Sequence, residues 1–208
     1  MDLSKLEKID QRIIYVILIL ATVIPLISPL GIPISISEGS QNFFDMMDAI
    51  PAGERVLFSL DYSVGGSPDV HPQAVALMNH LVEKGVGVVT ISFWDVGPMF
   101  GEQLMKPYEA EGYEYGVHFA NLGYIPGGET AIKRFGEDVV ESVSNKDFRN
   151  NELSSLPIMK GIKDTRDFAA VICYASGNPG IDEWVRQVQG PLDINFLAAT
   201  VTVNVPKA

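Results

Sequence analysis

The eight residues VGVVTISF, Val86 to Phe93, decide how the fold is read. They are almost continuously apolar and rich in β-branched side chains. A strand with one wet face alternates apolar and polar residues, whereas a strand covered on both faces does not. This run therefore points to a parallel sheet enclosed between helices. Further along in both directions, RVLFSLDY (55–62), FAAVICYAS (168–176) and INFLAATVTVNV (194–205) have the same character, and GVHFANLGY (116–124) is a weaker version of it.

Helical patterns lie between these runs. In HPQAVALMNHLVEKG (71–85), Ala74, Leu77, Met78 and Leu81 fall on one face, with Pro72 suited to the first turn and Gly85 to the end. In NPGIDEWVRQVQG (178–190), Asn178 is placed as N-cap, Asp182 and Glu183 occupy the first turn, and Ile181, Trp184, Val185 and Val188 form the apolar stripe. GPMFGEQLMKPYEAEGY (97–113) is the poorest helical pattern, because Pro107 interrupts it. Before the first strand, Ser40 is placed to cap QNFFDMMDAI (41–50). Alternating strands and helices with right-handed crossovers predict a Rossmann-like three-layer α/β sandwich whose mostly parallel sheet has about five strands. The stretch 142–166 fits no element, and a connection of this length is expected to form a flap, an interaction surface or a partly disordered segment. An exposed aromatic there, such as Phe148, would favour the second.

The chain has 208 residues and a formal charge of −11. That balance argues against nucleic acid as a partner, since phosphate binding requires a basic face. Cys173 is the only cysteine. It reads as a small buried hydrophobe, and it excludes an intramolecular disulfide and a paired-cysteine metal site.

Residues 13–34, IIYVILILATVIPLISPLGIPI, contain no charged residue. About 20 apolar residues in a helix suffice to cross a bilayer core. Lys5, Lys8 and Arg12 precede the run and acidic residues follow it, so the positive-inside rule places residues 1–12 in the cytoplasm and the domain from residue 40 to 208 outside the cell membrane. Two rival readings stay open. One is a cleaved signal peptide with Ser35–Ser37 at the cleavage site, opposed by Asp2, Glu7 and Asp10 among the leading basic residues. The other is a helix buried in a core.

RVLFSLDY, LGYIPGGETAI, LSSLPIMKGI and ASGNPGIDEWV together resemble a family of uncharacterised prokaryotic membrane-anchored proteins with an extracytoplasmic Rossmann-like domain. The resemblance spans most of Phe43 to Thr202. It implies the anchor and the fold, and it implies no activity. It also implies a further hydrophobic segment beyond the last strand, which this sequence does not contain.

In open α/β sheets, ligands bind beyond the carboxyl ends of the strands. The connections leaving the strands are DYSVGGSPDVHP, WDVGPMF, GYIPGGET and ASGNPG. They give the candidate ligand-binding residues Asp61, Ser63, Gly65, Gly66, Asp95, Gly127, Gly128, Thr130, Ser176 and Asn178. Gly127 and Gly128 allow close backbone approach ahead of a helix N-terminus, whose free amides attract anions. A plain strand-to-helix turn is the better reading, because no dinucleotide fingerprint and no P-loop is present and Glu129 sits where an anion would. Asp61 and Asp95 end successive strands and are the candidate metal ligands, with turn and cap bonding as the alternative. Ser176 and His71 are the candidate catalytic pair, with Asp61 as a third member. No motif requires that set, since Ser176 lies outside G-x-S-x-G. No cofactor is named by these residues. Two function classes follow: a ligand-binding or scaffold module at the membrane, acting as a homo-oligomer or with a membrane-complex partner, and a metal- or serine-dependent hydrolase.

Overall fold

A computed structural model describes residues 10–27 and 36–201. The chain divides into two compact units, Met1–Gln41 and Asn42–Ala208.

In the first unit, helix α1 runs from Gln11 to Ile27 and has no buried residue. At about 1.5 Å per residue it is about 26 Å long, a little short of a ~30 Å hydrocarbon core. Among the described residues no helix is long and apolar enough to cross a membrane. The expected span 13–34 extends past α1 into residues 28–35, which are outside the described ones. Helix α2 (Glu38–Asp48) leads into the second unit. It starts ahead of Ser40, so the predicted cap is corrected: the Ser37 hydroxyl accepts the Ser40 amide at 3.1 Å.

The second unit alternates strands and helices. The strands are β1 (Arg55–Asp61), β2 (Gly87–Ser92), β3 (Phe119–Tyr124), β4 (Ala170–Ala175) and β5 (Phe196–Thr200). The helices between them are α3 (Ser67–Glu83), α4 (Gly97–Ala110), α5 (Gly128–Glu137), the short α6 (Val139–Ser142) and α7 (Ile181–Trp184). Helix α7 continues through a π turn, Val185–Gln189. The five strands pair in parallel throughout, in the order β3-β2-β1-β4-β5. This bears out the Rossmann-like reading.

The period-two alternation of each strand divides the core into two layers. Val56, Phe58 and Leu60 of β1 face one layer with Ile172 and Tyr174 of β4, under α3 and α4. Leu57 of β1 faces the other with Val89, Ile91, Val171 and Cys173, under α5 and α7. Both faces of the central strands are thus dry, which is why their sequences do not alternate. Trp184 is fully buried in the second layer, as its stripe position predicts.

Three boundaries differ from the sequence reading, and one is the start of α7, which is capped at Gly180 and not at Asn178. Helix α3 begins at Ser67 with Pro68 in its first turn, so Pro72 lies inside it. Helix α4 runs through Pro107, so it forgoes the bond that an N–H there would make to the Gln103 carbonyl, and it ends three residues later.

The stretch without pattern covers an edge. Leu153, Leu156, Ile158, Met159 and Ile162 pack into the second layer. Just before them the chain turns over the open side of β3, where Phe148 N–H donates to the Asn121 carbonyl at 2.8 Å. Arg149 then reaches α4, pairing with Glu102 at 2.8 Å and Glu109 at 2.6 Å. Its guanidinium lies 3.8 Å from the centre of the Tyr115 ring. Strand β5, at the other end of the sheet, pairs with β4 alone among the described residues.

Candidate functional site

The strand order reverses between β1 and β4, so the connections after these two strands meet at the switch point where such sheets bind ligands. Here they meet closely. The Ser63 amide donates to Ser176 Oγ at 3.0 Å, and the Ser176 amide donates to the Asp61 carbonyl at 3.1 Å. A Cβ on Gly66 would lie 2.5 Å from Ser176 Cβ, so only glycine permits this approach. The backbone donors that open α3 are satisfied internally: Gly66 N–H goes to Ser63 Oγ at 3.1 Å and Ser67 N–H to the Ser63 carbonyl at 2.9 Å. An anion would find no free amide on these two residues. Gly65 beside them is exposed.

Trp94 joins the third connection to this lock. Its indole N–H donates to the Pro179 carbonyl at 2.8 Å, and its ring lies against Gly177. The Asn178–Pro179 peptide is cis, and Asn178 is exposed. Asp95, next to Trp94, is exposed as well.

Asp61 stands apart from these surface groups. It is fully buried in the second core layer. Its Oδ1 accepts the Phe93 amide at 2.7 Å. Its Oδ2 accepts the Ser59 hydroxyl at 2.5 Å, the Trp184 indole N–H at 3.3 Å and the Cys173 thiol at 3.7 Å. Burial pushes its pKa up to about 6, against the opposing pull of these donors. The same burial raises the Cys173 thiol. Both carboxylate oxygens are engaged away from solvent, while Asp95 faces solvent. Among the described residues no group of three or more His, Cys, Asp or Glu side chains is placed to hold a metal ion.

His71 lies on the other side of the sheet. Its Nδ1 pairs with the Tyr62 hydroxyl at 2.8 Å, and Phe100 stacks on Tyr62 and flanks the imidazole. Burial raises the Tyr62 phenol, first by desolvation and then through Asp61, so the hydroxyl keeps its proton. Burial also holds the imidazole pKa below its ordinary value. Tyr62 belongs to the first core layer and Cys173, a partner of Asp61, to the second. The sheet therefore separates His71 from Asp61, and among the described residues no hydrogen bond joins the Ser176 hydroxyl to either side chain. The three side chains do not form a relay.

The glycine pair at the start of α5 builds a turn. Gly127 and Gly128 have φ of 122° and 56°, values that L side chains rarely adopt. Glu129 does not fold back onto its own helix end. It accepts Arg186 at 3.1 Å and Gln187 at 2.8 Å, tying α5 to the π turn. These partners hold its carboxyl below the usual range. Thr130 is exposed in the next position.

What these connections share at the surface is apolar. Val64, Met99, Tyr124 and Phe148 are 67%, 61%, 42% and 49% exposed. Val64 follows β1, Met99 opens α4 after β2, and Tyr124 ends β3. Phe148 packs on Gly123 of β3. Since β3, β2 and β1 are neighbours, these side chains lie toward the same, carboxyl end of the sheet. The sequence pointed to Phe148 but not to the other three, because a lone apolar residue in a glycine-rich connection carries no signal of its own. A cleft of about 230 Å³ lies at the opposite end of the strands, lined by Glu54, Arg55, Gly87, His118 and Ile158 among others. It is smaller than the ~300–1,000 Å³ typical of small-molecule sites.

Compared with known proteins, the chain matches no family model, and no curated protein or solved structure matches it either.

Proposed function

We propose that the chain is a membrane-tethered assembly module, and that it docks a protein partner on the carboxyl-end rim of its sheet. The observation that carries this reading is the exposed apolar row Val64, Met99, Tyr124 and Phe148 along three neighbouring strands. Apolar side chains gathered at one end of a sheet are a surface that a protein partner can cover. The row is also preorganised, because the Ser63–Ser176 and Trp94–Pro179 hydrogen bonds fix the connections beneath it.

The tether rests on the uncharged run 13–34 and on Lys5, Lys8 and Arg12 ahead of it. In this reading the N-terminus is cytoplasmic and the domain faces outward. A Phe148→Cys variant tests the orientation, since Cys173 is buried and silent. Labelling of intact cells by a membrane-impermeant maleimide supports it, and labelling only after lysis refutes it.

The rim is tested with photo-crosslinking side chains placed at Val64 and Met99 in native membranes, and at Val185 as an exposed position on the π turn. A discrete adduct from each rim position, lost when Asp replaces the other rim residue at unchanged melting temperature, is the expected result. Equal adducts at Val185 would refute the reading.

A further inference from the structure

The two edges of the sheet are treated differently. The β3 edge is covered by the Phe148 amide and held by the Arg149 clamp. The outer edge of β5 is bare among the described residues. The Val171 amide donates to the Asn195 carbonyl, so Asn195 points its backbone polar groups toward β4. Alternation then turns those of Phe196, Ala198 and Thr200 outward. Natural edges are blunted by charge, proline or bulges. Phe196–Thr200 reads FLAAT and has none of these, and its register with β4 is unbroken. Ala198 is exposed, so a neighbouring backbone can approach it closely.

We infer that β5 is a self-association edge, at which two copies of this chain pair antiparallel about a twofold axis through Ala198. The outward residues match themselves under that operation: Ala198 meets Ala198, and Phe196 meets Thr200. The six outward donors and six outward acceptors of the two strands then form six hydrogen bonds and join two sheets into one of ten strands. Although the chain carries −11 overall, the five edge residues carry no charge, so the pairing sets no like charges directly against each other. Asp193 sits before the strand, so the twofold places its two copies at opposite ends of the pair. The inference uses a different surface from the rim, and variants of the two report separately.

The test uses the full chain in detergent. Opposed residues in a hydrogen-bonded antiparallel pair have Cα atoms about 5.5 Å apart, a spacing that suits a disulfide. An Ala198→Cys variant is expected to form a covalent dimer under mild oxidation at least about tenfold faster than Val64→Cys. In sedimentation, the unmodified chain is expected to associate reversibly. Ala198→Pro removes one outward donor and leaves the bonds to β4 in place, so it should yield a monomer with an unchanged circular dichroism spectrum. If that variant fails to fold, Ala198→Lys serves the same purpose through charge. Equal oxidation at residues 64 and 198, a monomeric unmodified chain, or a dimer that survives Ala198→Lys would overturn the inference.

Discussion

Asp61 shows how far a residue's surroundings can depart from its place in the sequence. As the last residue of an apolar strand it reads as a rim carboxylate, yet β1 and β4 pair as far as Asp61 and Ala175, and the side chain is enclosed. Alternation along RVLFSLD gives the face of Asp61, but its depth depends on Trp184 and Phe93, which arrive from elsewhere in the chain. Its folded pKa of about 6 lies above the model-compound value of 3.8. The protonated form therefore favours folding. The stabilisation is full below pH ~3.8 and is lost as the pH rises through ~6, a span of about 3 kcal/mol. The stability difference between the unmodified chain and Asp61→Asn, from urea melts, should change by about 2–3 kcal/mol between pH 4 and pH 7.5. A pH-independent difference would mean that the carboxylate is not desolvated as described. Gly97 offers a second test at this scale. A Cβ there would lie 1.9 Å from Ser92 Oγ and 2.7 Å from the Leu60 carbonyl, whereas one on Gly65 would meet Ser63 Oγ at 3.7 Å. Gly97→Ala should cost about 3 kcal/mol or more, and Gly65→Ala less than about 0.5 kcal/mol. Comparable losses for both would refute the packing described beneath the rim.

The sheet was legible at the level of elements because its strands are dry on both faces, and that removes alternation from the sequence. The ends of α3 and α4 were not, since Pro72 and Pro107 read as boundaries and tertiary packing carries both helices past them. Residues 142–166 were illegible for a different reason. Their apolar side chains fill gaps along irregular turns and have no period, and Arg149 meets partners 40 and 47 positions away. That clamp has a consequence of its own. Arg149→Lys keeps the charge but loses the planar fork and the stacking on Tyr115. It should destabilise the domain by about 1–2 kcal/mol and speed amide exchange at Phe148, whose N–H lies under the clamp. Added salt should narrow the difference, because about a third of the Arg149 side chain is exposed. Unchanged exchange at Phe148 would show that the edge cover holds without the arginine.

At the scale of the whole molecule, every buried apolar residue of the described chain lies between Met47 and Val201, and α1 has none. Removal of residues 1–36 should therefore leave a cooperatively unfolding domain whose melting temperature lies within about 3 °C of the intact chain's, equivalent to a loss of about 1 kcal/mol or less. A non-cooperative melt would show that the leader belongs to the core. The strand order also bears on synthesis. β1 sits at the centre of the sheet, and β2 and β3 follow it soon, but its other neighbour, β4, begins only at Ala170. At ~5–20 residues per second, a growing polypeptide holds the flank of its central strand unpaired for roughly ten seconds. Nascent chains arrested near residue 150 should be captured by a chaperone or clump together, whereas those arrested after β5 has left the ribosome tunnel should not, and a ribosome-bound series of lengths would show where the change falls.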